Sequence, residues 1–248
     1  MLVSIIFPSY NELKNIKRGV LDQAYDYLRS VTWDWELILA DDGSDDGTAE
    51  KLAEFSVKHQ GVRYIALPHR GKGPTVLEAL RQAKGDYRLF SDFDQATPLP
   101  EIEKLFPFTQ RGMDIVIGSR EVQGSERMRE PLHRHLMGKG FNFFVNLIAI
   151  NGIHDTQCGF KLFSRRASEK LVDKVVVYSG KGKLTGAFTG AFDVELLYLA
   201  KKYKFKIAEV PINWTYAKTN RVDPIKDSLR MLGDIMRIRL ADFQGKYR

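Results

Sequence analysis

Apolar runs of strand length alternate with helix-like stretches through the first half of this chain, and the turns after the second and fourth runs are crowded with aspartate. Residues 2–7, 35–40, 62–67, 87–91 and 114–119 read as strands; residues 12–29, 48–58, 74–83 and 100–108 read as helices. Strand–helix alternation at this spacing predicts right-handed βαβ units, a mostly parallel sheet and a Rossmann-like α/β core. Ligands in such sheets bind beyond the carboxyl ends of the strands. Both acidic turns fall there.

The second half is less regular. Helices are expected over 132–150, 166–171 and 192–203, strands over 159–163 and 206–210, an extended piece over 175–177, and a Gly/Lys-rich loop over 181–190. From residue 225 onward, Leu229, Leu232, Ile235, Met236, Ile238 and Leu240 interleave with Lys226, Arg230, Arg237, Arg239, Lys246 and Arg248. That pattern predicts a basic amphipathic helix, which packs on the core or lies on a membrane surface. The 248 residues suit one domain with three parts: 1–118, the regularly alternating half; 119–224, the less regular half; and 225–248, the tail helix.

A formal charge of +7 suits anionic lipid, phosphorylated ligands or nucleic acid. No nucleic-acid-binding motif accompanies it, so a nucleic-acid partner is not expected. The single cysteine, Cys158, makes neither an internal disulfide nor a cysteine zinc cluster. No stretch reads as a secretory signal or as the run of about 18 apolar residues that spans a bilayer.

Asp92-Phe93-Asp94 is the sharpest chemical feature. Two carboxylates one residue apart, in a turn at a strand end, can converge on a hard cation such as Mg²⁺ or Mn²⁺, which shares its coordination with substrate phosphates. In Asp41-Asp42-Gly43-Ser44-Asp45-Asp46-Gly47-Thr48, the twelfth position is Leu52, so an EF-hand fails on its ligands; a carboxylate there could take a hydrogen bond from a nucleobase. The ring of Tyr10 could stack on a base, with Glu12 beside it. Gly71-Lys72-Gly73 opens a helix and favours anions, but it is not a Walker loop, and no G-x-G-x-x-G follows the first strand.

Taken in order, Ile5-Ile6-Phe7-Pro8-Ser9-Tyr10-Asn11-Glu12, the 41–48 turn, Gly71-Lys72-Gly73, Asp92-Phe93-Asp94 and Gly118-Ser119-Arg120 resemble the family 2 inverting glycosyltransferases. The stretches 155–163, 192–197 and 209–214 resemble the dolichyl-phosphate β-glucosyltransferase branch, and more loosely the mannose synthases. The resemblance covers about residues 2–240 and implies a GT-A fold and metal-dependent transfer of a hexose from a nucleotide sugar to a polyprenyl or dolichyl phosphate. UDP-glucose is the expected donor. GDP-mannose, or a soluble glycan or small hydroxylated acceptor, is the alternative; a catalytically idle binding module is the rival class. It further implies that 1–118 forms the nucleotide-sugar half and 119–224 the acceptor half, implies a peripheral place on the cytoplasmic face of a membrane, and leaves a homodimer open.

Carried onto this chain, the resemblance assigns Pro8, Tyr10, Glu12, Ala40, Asp42, Lys72, Asp92, Phe93, Asp94 and Arg120 to the nucleotide sugar, with Asp92 and Asp94 on the metal. Arg129, Arg134, Lys161 and Arg221 are assigned to the acceptor phosphate. Asp94 and Arg120 are expected to act in catalysis, and Asp155, Asp193 and Glu195 are the candidate carboxylates should a base be needed. A phosphate monoester, with a second pKa of about 6, is already a nucleophile at neutral pH and needs none.

Overall fold

The computed structural model describes residues 1–128, 132–179, 190–216 and 224–248; the side chains of 132–134, 136–137 and 224–228 also fall outside the description. Leu2–Ser9 forms β1, Asp34–Asp41 β2, Val62–Ala66 β3, Tyr87–Ser91 β4, Ile115–Ser119 β5, Phe160–Ser164 β7 and Ile207–Pro211 β8, and among the described residues these make one seven-stranded sheet in the order β3-β2-β1-β4-β7-β5-β8. A second sheet pairs β6, Glu126–Met128, with β9, Asn213–Thr215.

The expectation of one mostly parallel sheet in a Rossmann-like GT-A fold is therefore corrected to a two-sheet architecture. The βαβ rule holds through β1–β4, whose ladders are parallel. It stops there because β7 enters between β4 and β5 and runs antiparallel to both. Two short segments then leave the large sheet and pair with each other, in parallel. Three-residue strands carry no periodicity to read, which is why the sequence pattern misses them.

Burial explains the long runs. Every residue of β1 after Leu2 is buried, as expected for a strand covered on both faces. The helical stretch over 12–29 divides into α1, Leu13–Lys17, and α2, Val20–Ser30, which pack with α3, Thr48–Lys58. The helix expected from residue 74 begins earlier, as α4, Lys72–Gln82; that over 100–108 is a 3-10 turn, Leu99–Lys104, followed by α5, Phe106–Gln110. Next come α6, Leu132–Ile148; α7, Arg165–Lys174; α8, Phe192–Lys202; and α9, Pro224–Phe243. Contacts run from α4 to α7, α7 to α8, α8 to α9 and α9 to α6. Residues 175–177 form no strand; Val176 and Val177 instead donate their N–H groups to Glu195. Apart from Gly190, the 181–190 loop lies outside the described residues.

The registers place the site. Ser9 lies opposite Asp41 and Ser119 opposite Pro211, so β1, β2, β5 and β8 end along one edge. Ser91 lies opposite Phe160, which brings the end of β4 and the start of β7 to that same edge.

Candidate active site

The turn after β4 is shaped by its own side chains. Gln95, at φ +52°, donates its Nε2 to Ser91 Oγ at 3.1 Å and to the Asp92 carbonyl at 2.9 Å, and Ala96 N donates to Asp94 Oδ1 at 3.0 Å. Within this tight turn Phe93 points inward, buried edge-on against Phe7 with ring centroids 6.0 Å apart. That corrects its assignment to the nucleotide sugar, because its ring belongs to the core. Ala40, fully buried in β2, likewise offers no side chain to a ligand.

Asp92 and Asp94 sit close enough to sense each other. Burial, and then the charge of Asp92, raise the Asp94 carboxyl above the usual carboxylate range. Lys72, the first residue of α4, donates its Nζ to Asp92 Oδ1. Burial works against the ammonium, but Asp92 and Asp193 hold it charged above the ordinary lysine range. On the other side, Asp92 N donates to the Gly159 carbonyl at 2.9 Å, and a Cβ built at Gly159 would lie 2.1 Å from Asp92 Oδ2. The carboxylate thus occupies a cradle that exists only because residue 159 has no side chain.

This arrangement fits a divalent ion. The oxygen donors are hard, the cradle fixes one of them, and an ammonium already neutralises it. Among the described residues no group of three or more His, Cys, Asp or Glu side chains is arranged to hold a metal. One or two carboxylates completed by substrate phosphates is the usual arrangement for Mg²⁺.

The 41–48 turn behaves differently from its expected role. Asp42 is 3% exposed, and its carboxylate accepts from Arg70 N (2.8 Å), Gly71 N (2.9 Å) and His69 Nδ1 (2.8 Å). It holds the loop leading into Lys72, a correction to its assignment as a nucleoside contact. Asn11 bridges to Asp45 through Nδ2 at 2.8 Å and ties the first loop to the second. Tyr10 stacks on His69 at 4.2 Å, and Glu12 accepts from Asn15. Pro8 is buried, opposite Ala40 in the ladder.

Past β5, the guanidinium of Arg120 makes a two-point pair with Asp155: Nε to Oδ2 at 2.7 Å and Nη2 to Oδ1 at 2.8 Å, with Arg120 N adding a third bond to Oδ2 at 2.9 Å. The face of Arg120 lies over Trp214, 5.2 Å from the ring centroid. The small sheet sets that ring: β9 carries it, Glu101 accepts from Asn213 N at 3.0 Å, and Thr215 N donates to the carbonyl of Ala96 at 2.8 Å, beside the Asp94 turn. Burial would raise the Asp155 carboxyl, but the charge and hydrogen bonds of Arg120 bring it down to about 2. A carboxylate of such low basicity is a poor proton acceptor, so Asp155 is corrected from candidate base to the residue that aims Arg120.

Glu195 needs the same correction. It is fully buried and accepts from the N–H groups of Val176 (2.8 Å), Val177 (2.8 Å) and Tyr178 (3.0 Å) and from Tyr247 Oη (2.6 Å). Lys161 is also fully buried, its Nζ held by the Cys158 carbonyl and 3.3 Å from Asp193, so it cannot meet an acceptor phosphate at the surface. Arg129 and Arg221 lie outside the described residues, as does the side chain of Arg134. Sequence reasoning missed Gly159, Trp214 and His69. Gly159, a glycine at a strand start, was the one with a readable signal.

Two carboxylates and an ammonium at the carboxyl edge of a mixed α/β sheet, with an arginine braced nearby, are the apparatus of a transferase acting on a phosphorylated donor. Residues 4–172 match the family described as Glycosyl transferase family 2, and the chain belongs to that family. It is 35% identical over 262 residues to dolichyl-phosphate beta-glucosyltransferase of Homo sapiens, covering 99% of this chain and 77% of that protein. The enzyme of the same name from Saccharomyces cerevisiae is 31% identical over 268 residues, covering 100% and 77%. Among solved structures, mannosyl-3-phosphoglycerate synthase from Rubrobacter xylanophilus superposes with a TM-score of 0.64 at 18% identity, covering 100% of this chain and 76% of that one. Glucosyl-3-phosphoglycerate synthase from Mycobacterium tuberculosis, in complex with Mn²⁺, uridine diphosphate and phosphoglyceric acid, gives 0.61 at 19%, covering 97% and 78%. These likenesses concern the fold, and they go with the two-sheet architecture rather than the single-sheet expectation.

Proposed function

We propose that this family 2 glycosyltransferase moves glucose from UDP-glucose to a polyprenyl phosphate of the dolichyl type, with inversion at the anomeric carbon. The observation that carries the reading is the likeness to dolichyl-phosphate β-glucosyltransferases along 99% of the chain. The geometry of the sheet edge supports it. An oxygen of the acceptor phosphate attacks the anomeric carbon from the face opposite the nucleotide. The new carbon–oxygen bond forms as the bond to the diphosphate breaks, and the electron pair leaves with the nucleoside diphosphate.

Such an acceptor needs no base, since a phosphate monoester is largely dianionic at pH 7. That agrees with the state of Asp155 and Glu195, both committed to internal contacts. Arg120, fixed by Asp155 and Trp214, presents positive charge to the departing diphosphate. Asp92 and Asp94 are the residues that would hold Mg²⁺ or Mn²⁺, which when bound offsets charge on the leaving diphosphate. Tyr10 and its partner His69 offer an aromatic platform for the base.

Among the described residues no helix is long and apolar enough to cross a membrane. We place the protein peripherally on the cytoplasmic face. The support is that α6 and α9, packed on each other, leave Phe143, Phe144, Leu147, Leu229, Met236, Leu240 and Phe243 exposed alongside Arg237 and Arg239.

The test is a transfer assay with radiolabelled UDP-glucose or GDP-mannose, offered polyprenyl phosphate or soluble glycans, with Mg²⁺ or Mn²⁺. Glucosylated lipid is the expected product. Asp94→Asn should lower turnover by roughly 100-fold or more with little change in melting temperature. Mannosyl lipid, a soluble product, or full activity in Asp94→Asn would each overturn the reading.

A further inference from the structure

The residues around Asp92 include one carboxylate that the transfer step does not use. Asp193, in the first turn of α8, is 3% exposed, and among the described residues its Oδ1 makes no hydrogen bond. Lys161 Nζ forms an ion pair with that oxygen at 3.3 Å and also donates to the Cys158 carbonyl, so its ammonium is shared between two acceptors. Burial disfavours the charge of this carboxylate, so a second ammonium beside it is favourable.

The donor in reach is Lys72. A Cβ at Gly73 would lie 2.9 Å from Phe192 Cβ, so the first turn of α4 is pressed against the first turn of α8. Lys72 and Asp193 are the sequence neighbours of those two contacting residues, near enough that the charge of Asp193 acts on Lys72. Lys72 Nζ stands 6.0 Å above the Phe192 ring and is drawn by both Asp92 and Asp193. It presently sits on Asp92, the carboxylate that a divalent ion would need.

From these contacts we infer that Lys72 is a built-in counter-ion for the metal site, holding Asp92 until a divalent cation displaces it onto Asp193. The inference rests on the reading of Asp92 and Asp94 as metal ligands. The ammonium and the cation cannot share Asp92 Oδ1 at contact distance without strong repulsion. When the cation arrives, Lys72 turns across the Phe192 ring toward Asp193 and joins Lys161 beside that carboxylate. Asp92 is thereby never left uncompensated, and the site stays poised for an ion without collapsing onto a neighbour.

The experiment is Mn²⁺ titration of the full chain without nucleotide, read by the electron paramagnetic resonance signal of free Mn²⁺. Lys72→Met removes the competitor and should tighten Mn²⁺ binding roughly tenfold, the size expected of coupled charged neighbours. Asp193→Asn removes the resting place and should weaken binding several-fold. In the Lys72→Met background, Asp193→Asn should have no further effect, because no ammonium remains to be received. Unchanged or weaker binding in Lys72→Met overturns the inference, as does an Asp193→Asn effect of equal size in both backgrounds. Asp94→Asn is the control for the underlying reading. If it leaves Mn²⁺ affinity intact, the metal assignment itself fails; if it abolishes binding while Lys72→Met changes nothing, only the counter-ion role fails. Melting temperatures of all variants separate loss of fold from loss of site.

Discussion

At position 159 the lack of a side chain decides whether Asp92 can occupy its place. A Cβ there would lie 2.1 Å from one carboxylate oxygen and 2.4 Å from the other, and no rotation of the methyl group relieves both contacts. Gly159→Ala should push Asp92 out of its cradle and lower kcat by roughly tenfold or more. The melting temperature should fall by only a few degrees; a steady-state assay beside a thermal melt checks the split. Asp155 makes a prediction of a different kind. Its carboxyl titrates at about 2 instead of the ordinary 3.8. A lowered carboxylate contributes stability that is fully present above the unfolded value and is lost as pH falls through the folded one. The shift corresponds to about 2 kcal/mol, lost between about pH 4 and pH 2. Asp155→Asn should therefore be less stable than the parent at pH 7, and the gap should narrow across that acid window, as read by urea denaturation at a series of pH values.

Among the elements, α8 does more than its amphipathic pattern suggests. Its first turn buries two carboxylates, Asp193 and Glu195, and neither faces solvent. Sequence alone places both on a helix but not inside the protein, because their partners come from residues 161, 176–178 and 247, far away along the chain. The strands of the first half were legible for the opposite reason: their apolar runs answer to burial within the run itself. The antiparallel entry of β7 left no such mark, since an apolar run reads the same in either direction. α6 and α9 yield a prediction of their own. If their exposed apolar side chains meet a lipid surface, Leu147→Asp combined with Phe243→Asp should lower the fraction that floats with anionic vesicles. Equal flotation of parent and variant would remove these two helices from the contact.

At the scale of the molecule, the motifs of the site were readable as motifs, and their assembly was not. Asp92 and Asp94 announce themselves by spacing. That Asp42 steadies a loop, that Asp155 steers an arginine, and that Lys161 is sealed inside depend on contacts between segments 29 to 35 residues apart, which only the folded chain sets. The same dependence governs how the sheet comes together. Ile115–Ser119 finds one neighbour at Phe160–Ser164 and the other at Ile207–Pro211, both downstream of it. During synthesis, then, this strand emerges with neither flank available, a bare oily ribbon that must be shielded until some forty further residues have left the ribosome. Long-range closure of this kind slows folding, and cells answer the exposure with chaperones. How well the enzyme is produced should hinge on that interval as much as on any contact in the finished fold.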